Sequence, residues 1–401
     1  MITIQDIQEA KKRLDGVVQN TPLAYSPILS KQFEANIYLK KENLQLTGSF
    51  KIRGAFNKIS TLNEMEKATG VVAASAGNHA QGVAYSASYY NINATIIMPE
   101  ATPLTKVSGV KSYGAEVILY GANYDEAYSY AMEYAKDNDS TFIHPFADDT
   151  VIAGQGTVAL EILEQLDNID MILVPIGGGG LISGISTAIR ALNPTIKIIG
   201  VVASGANAMK ISYNKKEPID SISVKTIADG IAVRDVTPKM LDYTLDLVDE
   251  IIEVEDKEIA SAILFLLEKQ KIVVEGAGAV GLATILHNKI DVKGKTVVLP
   301  LSGGNIDVTM LSLIIEKGLV KSSRKMNMIV TLIDKPGSLM TLTDIFKQND
   351  ANIVSIDYDR NSVQLDFGEA NVTIAIETKG EAHQNLIRDR LKSNGFRFKE
   401  I

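Results

Sequence analysis

MILVPIGGGGLISGISTAIRAL, from Met171 to Leu192, reads as a strand, a turn and a helix set end to end. It is uncharged from Met171 to Ile189, long enough to span a bilayer. Pro175 and the four glycines Gly177 to Gly180 argue instead for a buried strand that ends in a loop. An apolar strand that enters a glycine turn and leaves as a helix is the repeating unit of an α/β fold with buried, mainly parallel sheets. The unit recurs on both sides. GVVAASAGNHAQGVAYSASYY (70–90) and NATIIMPEATPLTKVSGVKSYGAEVILYG (93–121) precede it; TIKIIGVVAS (195–204) and GKTVVLPLSGGN (294–305) follow. Three strands run into small-residue turns, at Ala74-Ser75, Ile176-Gly177 and Leu301-Ser302. Open α/β sheets collect ligands at the carboxyl ends of their strands, so these turns are candidates to converge on one site.

The pattern changes after KGLVKSSRKMN (317–327), a polar, basic stretch that reads as a linker. From Met326 the order is strand, helix, strand, strand, helix, strand, ending in FRFKEI. That is the ferredoxin-like order. The expected organisation is a catalytic part over residues 1–320, with a smaller subdomain at about 45–150, and an autonomous domain over 326–401.

The chain of 401 residues carries a net charge of −8 and no basic stripe, which argues against a nucleic-acid surface. It has no cysteine, so disulfides, thiolate metal sites and a cysteine nucleophile are excluded; this suits a reducing cytoplasm. The four histidines, His79, His144, His287 and His383, show no ligand spacing, and no metal is expected. Met1 to Gly16 is amphipathic and charged, unlike a signal peptide, and no membrane partner is expected.

Four segments can carry chemistry. Gly177 to Gly180 with Leu181 can close backbone N–H groups around an anion at a helix N-terminus, and a phosphate is the natural guest. No Gly-Lys-Ser/Thr follows, so a nucleoside triphosphate is not implied. NLQLTGSFKIRGAF (43–56) sets Lys51 between a small polar turn and a helix-like stretch, either as an ordinary solvated lysine or held for chemistry. SAGNHAQG (75–82) opens a helix and could receive a carboxylate, or be only a capping loop. PLSGGN (300–305) places Ser302 at a strand end, where its hydroxyl can meet a ring nitrogen or merely serve the turn. A fifth segment, Gly276-x-Gly278-x-x-Gly281, has the letters of a dinucleotide fingerprint. The next strand, TVVLPL, ends without an acid, so close helix packing is the better reading. A Schiff-base lysine, a phosphate cradle and a serine for a pyridine nitrogen are together the three handles of pyridoxal 5′-phosphate (PLP).

KENLQLTGSFKIRGA (41–55), SAGNHAQGVA (75–84), IGGGGL (176–181), IADGIAV (227–233) and LSGGN (301–305) stand in an order that resembles the fold-type II PLP enzymes, and within them the threonine dehydratases, also called threonine ammonia-lyases. The likeness covers roughly residues 4 to 320. DKPGSL (334–339) resembles the turn of an ACT domain, an amino-acid-sensing module. The resemblance implies a tryptophan synthase β-like catalytic core of two domains plus a ferredoxin-like βαββαβ ACT domain.

It also implies roles. Lys51 would bind the cofactor aldehyde and act as base, with Phe50 walling the site. Asn78 would hold the ring hydroxyl, Gly177 to Leu181 the phosphate, and Ser302 the pyridine nitrogen. Ser75, Ala76, Gly77, Asn78 and His79 would take the substrate carboxylate. An effector would sit at Asp334, Pro336, Gly337 and Leu339. The implied reaction is deamination of L-threonine to 2-oxobutanoate and ammonia, with L-serine secondary, at the entry to isoleucine synthesis. A cytoplasmic homo-oligomer, dimer or tetramer, is implied. L-Serine as the main substrate, or a catalytically silent amino-acid sensor, stays open. Serine racemases of this fold carry a serine where Ala76 stands, and a carboxylate for a cation where Ala203 and Ser204 stand.

Overall fold

The structure, a computed structural model, describes residues 1–361, 363 and 365–401. The chain divides into two compact units, Met1–Asp307 and Val308–Ile401. In chain order the strands of the first are β1 (Leu23–Tyr25), β2 (Asn36–Lys40), β3 (Val71–Ala74), β4 (Ala94–Met98), β5 (Glu116–Leu119), β6 (Thr141–Phe142), β7 (Met171–Pro175), β8 (Lys197–Ala203), β9 (Glu250–Val254) and β10 (Thr296–Pro300). They form a sheet ordered β1-β2-β10-β7-β8-β9 and a second ordered β5-β4-β3-β6. All pairs are parallel except β1 with β2. Strands β3, β4 and β7 are buried at every position, as expected of parallel strands covered on both faces.

The run from Met171 is the strand and helix that its letters describe: β7, then helix Gly180–Leu192. No helix of the described residues is long and apolar enough to cross a membrane. Helix Asp149–Gln165 begins where the Asp148 carboxylate caps the N–H groups of Thr150 and Val151. It packs between helix Lys51–Ser60 and helix Gly180–Leu192. Both crossings are glycine contacts. A Cβ on Gly154 would lie 2.5 Å from the Arg53 carbonyl oxygen, and one on Gly184 would lie 2.5 Å from the Gly156 nitrogen. The lysine helix and the glycine-turn helix are thereby set against one intermediate helix at backbone distance.

A buried polar quartet also fixes the lysine helix. The Arg53 guanidinium is bidentate to Glu42, at 2.8 and 2.8 Å, and to Glu161, at 2.6 and 2.9 Å. Lys40 Nζ donates to Glu161 at 2.5 Å and to the Thr21 carbonyl at 2.6 Å. Two cations face two carboxylates, and all four side chains are buried. Burial disfavours the Glu42 charge, but Arg53 outweighs it and holds the carboxyl below its ordinary value.

In the second unit, helix Val308–Lys321 precedes β11 (Lys325–Ile333), β12 (Ile353–Asp359), β13 (Glu369–Glu377) and β14 (Arg397–Glu400). The stretch expected to be a linker is therefore mostly element. Only Ser322 to Arg324 stand between the helix and β11. Helices Ser338–Gln348 and Glu381–Ser393 complete a βαββαβ order, and the antiparallel sheet runs β12-β13-β11-β14, which is the ferredoxin-like arrangement. Alternate residues of β11 (Met326, Met328, Val330, Leu332) pack with Phe346, Ile387 and Leu391 into one core.

Arg53→Ala should destabilise the first unit by about 3–5 kcal/mol, because Glu42 and Glu161 would then share one cation in a buried place. Chemical denaturation monitored by circular dichroism measures this. A loss below about 1 kcal/mol, the range of an exposed pair, would show that the quartet does not hold the helix.

Candidate active site

Lys51 is the first residue of its helix, and Phe50 precedes it. The segment before it is fastened to the turn after β10. Phe50 N–H donates to the Ser302 carbonyl at 3.1 Å, Gly304 N–H donates to the Gly48 carbonyl at 2.8 Å, and Ser49 bridges Gly303. Gly48 has φ +71°, and a Cβ there would strike the Asn305 side chain at 2.3 Å, so this turn needs glycine twice over. Lys51 Nζ donates to the Pro145 carbonyl at 2.9 Å and lies 5.5 Å from the centre of the Phe50 ring. Burial pushes its amine down to about 8, against the opposing pull of Glu275.

The glycine turn lies beside the same loop. A Cβ on Gly178 would be 2.3 Å from a Phe146 ring carbon, and one on Gly180 would be 3.0 Å from the Phe146 Cα. A Cβ on Gly177 would be 2.8 Å from the Ile231 Cα, within the IADGIAV segment. Gly179 instead has φ +92°. Each glycine thus has its own requirement. Among the described residues, the backbone N–H groups of Gly177, Gly178, Gly179, Gly180 and Leu181 make no hydrogen bond. A row of unpaired N–H groups at the positive end of a helix is built for an anion.

Ser75, Ala76 and Gly77 form the turn from β3 into helix Asn78–Tyr89, with Gly77 N–H donating to Ser75 Oγ at 3.2 Å. His79 is buried and bonded through Nε2 to the Ile143 carbonyl at 2.8 Å, while its Nδ1 has no partner. Burial, reinforced by Lys51, pushes it down to about 3, so it is neutral. His144 Nδ1 accepts from Phe146 and Ala147 N–H, at 3.2 and 2.9 Å, and burial with Lys51 pushes it down to about 4. Asn78 Nδ2 donates to Glu275 at 2.7 Å, and Asn78 Oδ1 accepts from Asn305 Nδ2 at 2.7 Å. Ser302 is buried below Phe50 at the end of β10.

The five motifs therefore meet at one place. The fingerprint-like glycines do not form a nucleotide turn: a Cβ on Gly276 would lie 2.6 Å from the Ile227 carbonyl oxygen, and one on Gly278 2.8 Å from that of Gly303. Two residues of the site had gone unread. Glu275, an acid within an apolar run and just ahead of Gly276, was the available signal for one. Asn305, closing the SGGN turn, was the signal for the other.

Residues 14–303 match the family model of the pyridoxal-phosphate dependent enzymes. The chain belongs to that family. Over 396 residues it is 48% identical to an L-threonine ammonia-lyase of Thermotoga maritima, covering 99% of this chain and 98% of that one. Among solved structures it is similar to processed threonine deaminase isoform 2 of Solanum lycopersicum, with TM-score 0.74 and 37% identity over 78% of this chain and 86% of that one. A maize serine racemase is also similar, with TM-score 0.75 and 36% identity over 80% of this chain and 98% of that one.

The donor set suits the family's cofactor. Unpaired N–H groups suit a phosphate, an amine held near neutrality suits an aldehyde, and a buried hydroxyl suits a ring nitrogen. Among the described residues, buried and unpartnered Thr47 Oγ1 and Ser49 Oγ precede the lysine, and His79 Nδ1 lies beside Asn78.

In the second unit, Asp334, Pro336 and Gly337 lie between β11 and the next helix, which Gly337 caps with φ +90°, and Leu339 stands in that helix's first turn. Asp334 accepts from Tyr358 OH at 3.0 Å and pairs with Arg360, so its carboxylate is held between two strands' ends. Leu339 packs on the core of that unit.

Gly178→Ala should cut turnover about a hundredfold or more, because Phe146 or the turn must move by over an ångström to admit the methyl. Steady-state kinetics alongside thermal unfolding check it. Near-normal turnover in the folded variant would show that the loop tolerates displacement.

Proposed function

We propose that this chain is a PLP-dependent threonine ammonia-lyase, converting L-threonine into 2-oxobutanoate and ammonia, with L-serine as the poorer substrate. The observation that carries the reading is Lys51: a lysine amine at a helix start, pushed down to about 8, beside a row of unpaired backbone N–H groups. The likeness to the threonine ammonia-lyase, which extends over nearly the whole chain, supports the choice of substrate.

When bound, pyridoxal phosphate supplies an electron sink that acidifies the α-carbon proton of the attached amino acid. Gly177 to Leu181 hold its phosphate through their N–H groups and the helix dipole. Asn78 holds the ring oxygen and Ser302 the pyridine nitrogen. Ser302, being neutral, would meet that nitrogen without placing a charged partner beside it. Phe50 and Phe146 wall the lysine and keep water from it. The loop Ser75–His79 receives the substrate carboxylate. Lys51, at about 8, is unprotonated often enough near neutrality to take the α proton. His79 and His144, both neutral, add no positive charge that would lower Lys51 further.

Ala76 bears on the outcome. Racemisation needs a second proton-carrying group on the opposite face of the substrate, and a methyl side chain carries none. Elimination over racemisation follows. The ferredoxin-like unit is read as an ACT domain that binds an amino-acid effector near Asp334, and the enzyme as a cytoplasmic homo-oligomer serving isoleucine synthesis.

Lys51→Ala should abolish turnover of threonine while thermal unfolding stays close to wild type; residual activity above a few per cent would remove the central claim. In the wild type, kcat should fall as pH drops below about 8, because the amine then holds its proton. Flat kcat from pH 6 to 9 would mean that another group takes the proton.

A further inference from the structure

Asn78, Glu275 and Asn305 form a closed ring of hydrogen bonds. Asn78 Nδ2 donates to Glu275 Oε1 at 2.7 Å, Asn305 Nδ2 donates to Asn78 Oδ1 at 2.7 Å, and the Asn305 backbone N–H bonds back to the Glu275 carboxylate. The same Asn305 Nδ2 also donates to the Thr47 carbonyl at 2.8 Å. Glu275 is itself anchored, its N–H donating to the Gly303 carbonyl at 3.0 Å, and a Cβ on Gly303 would lie 2.4 Å from its Oε1. The ring ties the start of helix Asn78–Tyr89 to the turn after β10 and to the start of helix Gly276–Leu286.

The ring has a chemical consequence. An asparagine amide can flip, exchanging its oxygen and nitrogen. Here, with Glu275 ionised, a flip would set Oδ1 against the carboxylate oxygen and Nδ2 against the Asn305 nitrogen, acceptor on acceptor and donor on donor. One orientation is therefore enforced, and it leaves Asn78 with one uncommitted N–H. We propose that Glu275 and Asn305 are positioning residues that fix the Asn78 amide so that it presents a donor to the cofactor's ring oxygen. The inference rests on the reading of Asn78 given above.

The clamp is pH-sensitive. Burial, then the Asp229 carboxylate, push Glu275 up to about 7, while Asn78, Lys106 and the Asn305 N–H oppose the rise. Lys51 faces it from its own helix, and Lys106 pairs with Asp229 at 2.7 Å. As pH rises through about 7 a growing share of Glu275 is carboxylate, which makes the bond from Asn78 charge-assisted and stronger. The ring tightens as pH rises.

The test uses full-length protein stripped of cofactor and titrated with pyridoxal 5′-phosphate, reading the dissociation constant and the absorption band from pH 6 to 8. Glu275→Ala and Asn305→Ala should each weaken binding about tenfold and shift the band, since each leaves a buried polar group unmatched. Glu275→Gln keeps an acceptor for Asn78 without a charge that titrates. It should recover most of the affinity but lose part of the pH dependence seen in wild type. Wild-type affinity and spectrum in both alanine variants would overturn the proposal, and so would a Glu275→Gln profile that keeps the full wild-type pH dependence. If Glu275→Ala does not fold, Asn305→Ala opens the same ring from the other side. Asn78→Ala separates the two levels of argument. A weakened Asn78→Ala beside unaffected Glu275 and Asn305 variants defeats the clamp alone; an unaffected Asn78→Ala defeats the reading beneath it and the clamp together.

Discussion

The double fork of Arg53 onto Glu42 and Glu161 is the interaction on which the site depends. It stands two residues after Lys51 in a helix of ten residues, so whatever fixes Arg53 fixes the lysine within half a turn. Glu42 follows β2 of the large sheet, and Glu161 lies on the helix that also touches the glycine-turn helix. One guanidinium therefore registers the lysine against both the large sheet and the helix that packs on the glycine-turn helix. A lysine could not replace it, because only the planar fork meets two carboxylates with paired bonds. The quartet is neutral as a set, and this lets four charged side chains stay out of water.

The reacting region is arranged on the opposite principle. Lys51 and Glu275 are both drawn toward neutrality by burial, to about 8 and about 7, instead of being locked into strong pairs. Two histidines nearby are held neutral by the same cause. The structure thus contains one set of buried charges matched cation to carboxylate, and a second set of buried groups, Lys51 and Glu275, whose hydrogen-bond partners are uncharged. Pairing Lys51 directly with a carboxylate would raise its amine and leave it fully protonated at neutral pH. Among the described residues, the side-chain hydrogen bond of Lys51 goes to the uncharged Pro145 carbonyl.

The alternation of strands and helices was legible because buried parallel strands are written as unbroken apolar runs, as in MILVP and TVVLP. The ferredoxin-like order was legible for a related reason: β11 alternates Met326, Met328, Val330 and Leu332 with outward residues. Lys51, Asn78 and the glycines stood out because each sits where a turn meets a helix, and Ser302 because it closely follows the end of a strand. Arg53, Glu275 and Asn305 did not. Their importance lies in partners 227 or fewer positions away along the chain, such as Asn78 with Asn305 and Arg53 with Glu161. No local pattern announces such a pair. The polar stretch near Lys321 misled for a different reason: exposed lysines on the outer face of a helix look the same as lysines in a linker.

The four glycines show how a packing requirement and a binding requirement come to share residues. Gly177, Gly178 and Gly180 are small because Ile231 and Phe146 press against them, and Gly179 is glycine because its φ is +92°. None of these reasons mentions a ligand. Yet that close packing holds the turn in the shape that leaves its N–H groups unpaired, and a side chain at any of the first three would push the turn out of that shape. Phe146 is at the same time two residues from His144 and adjacent to Pro145, whose carbonyl holds Lys51. The aromatic ring that fills the space above the glycines is thus tied to the carbonyl that receives the lysine. A change in the glycine turn can reach the lysine amine through Phe146 and Pro145, a path of contact and covalent bond that joins the two halves of the site.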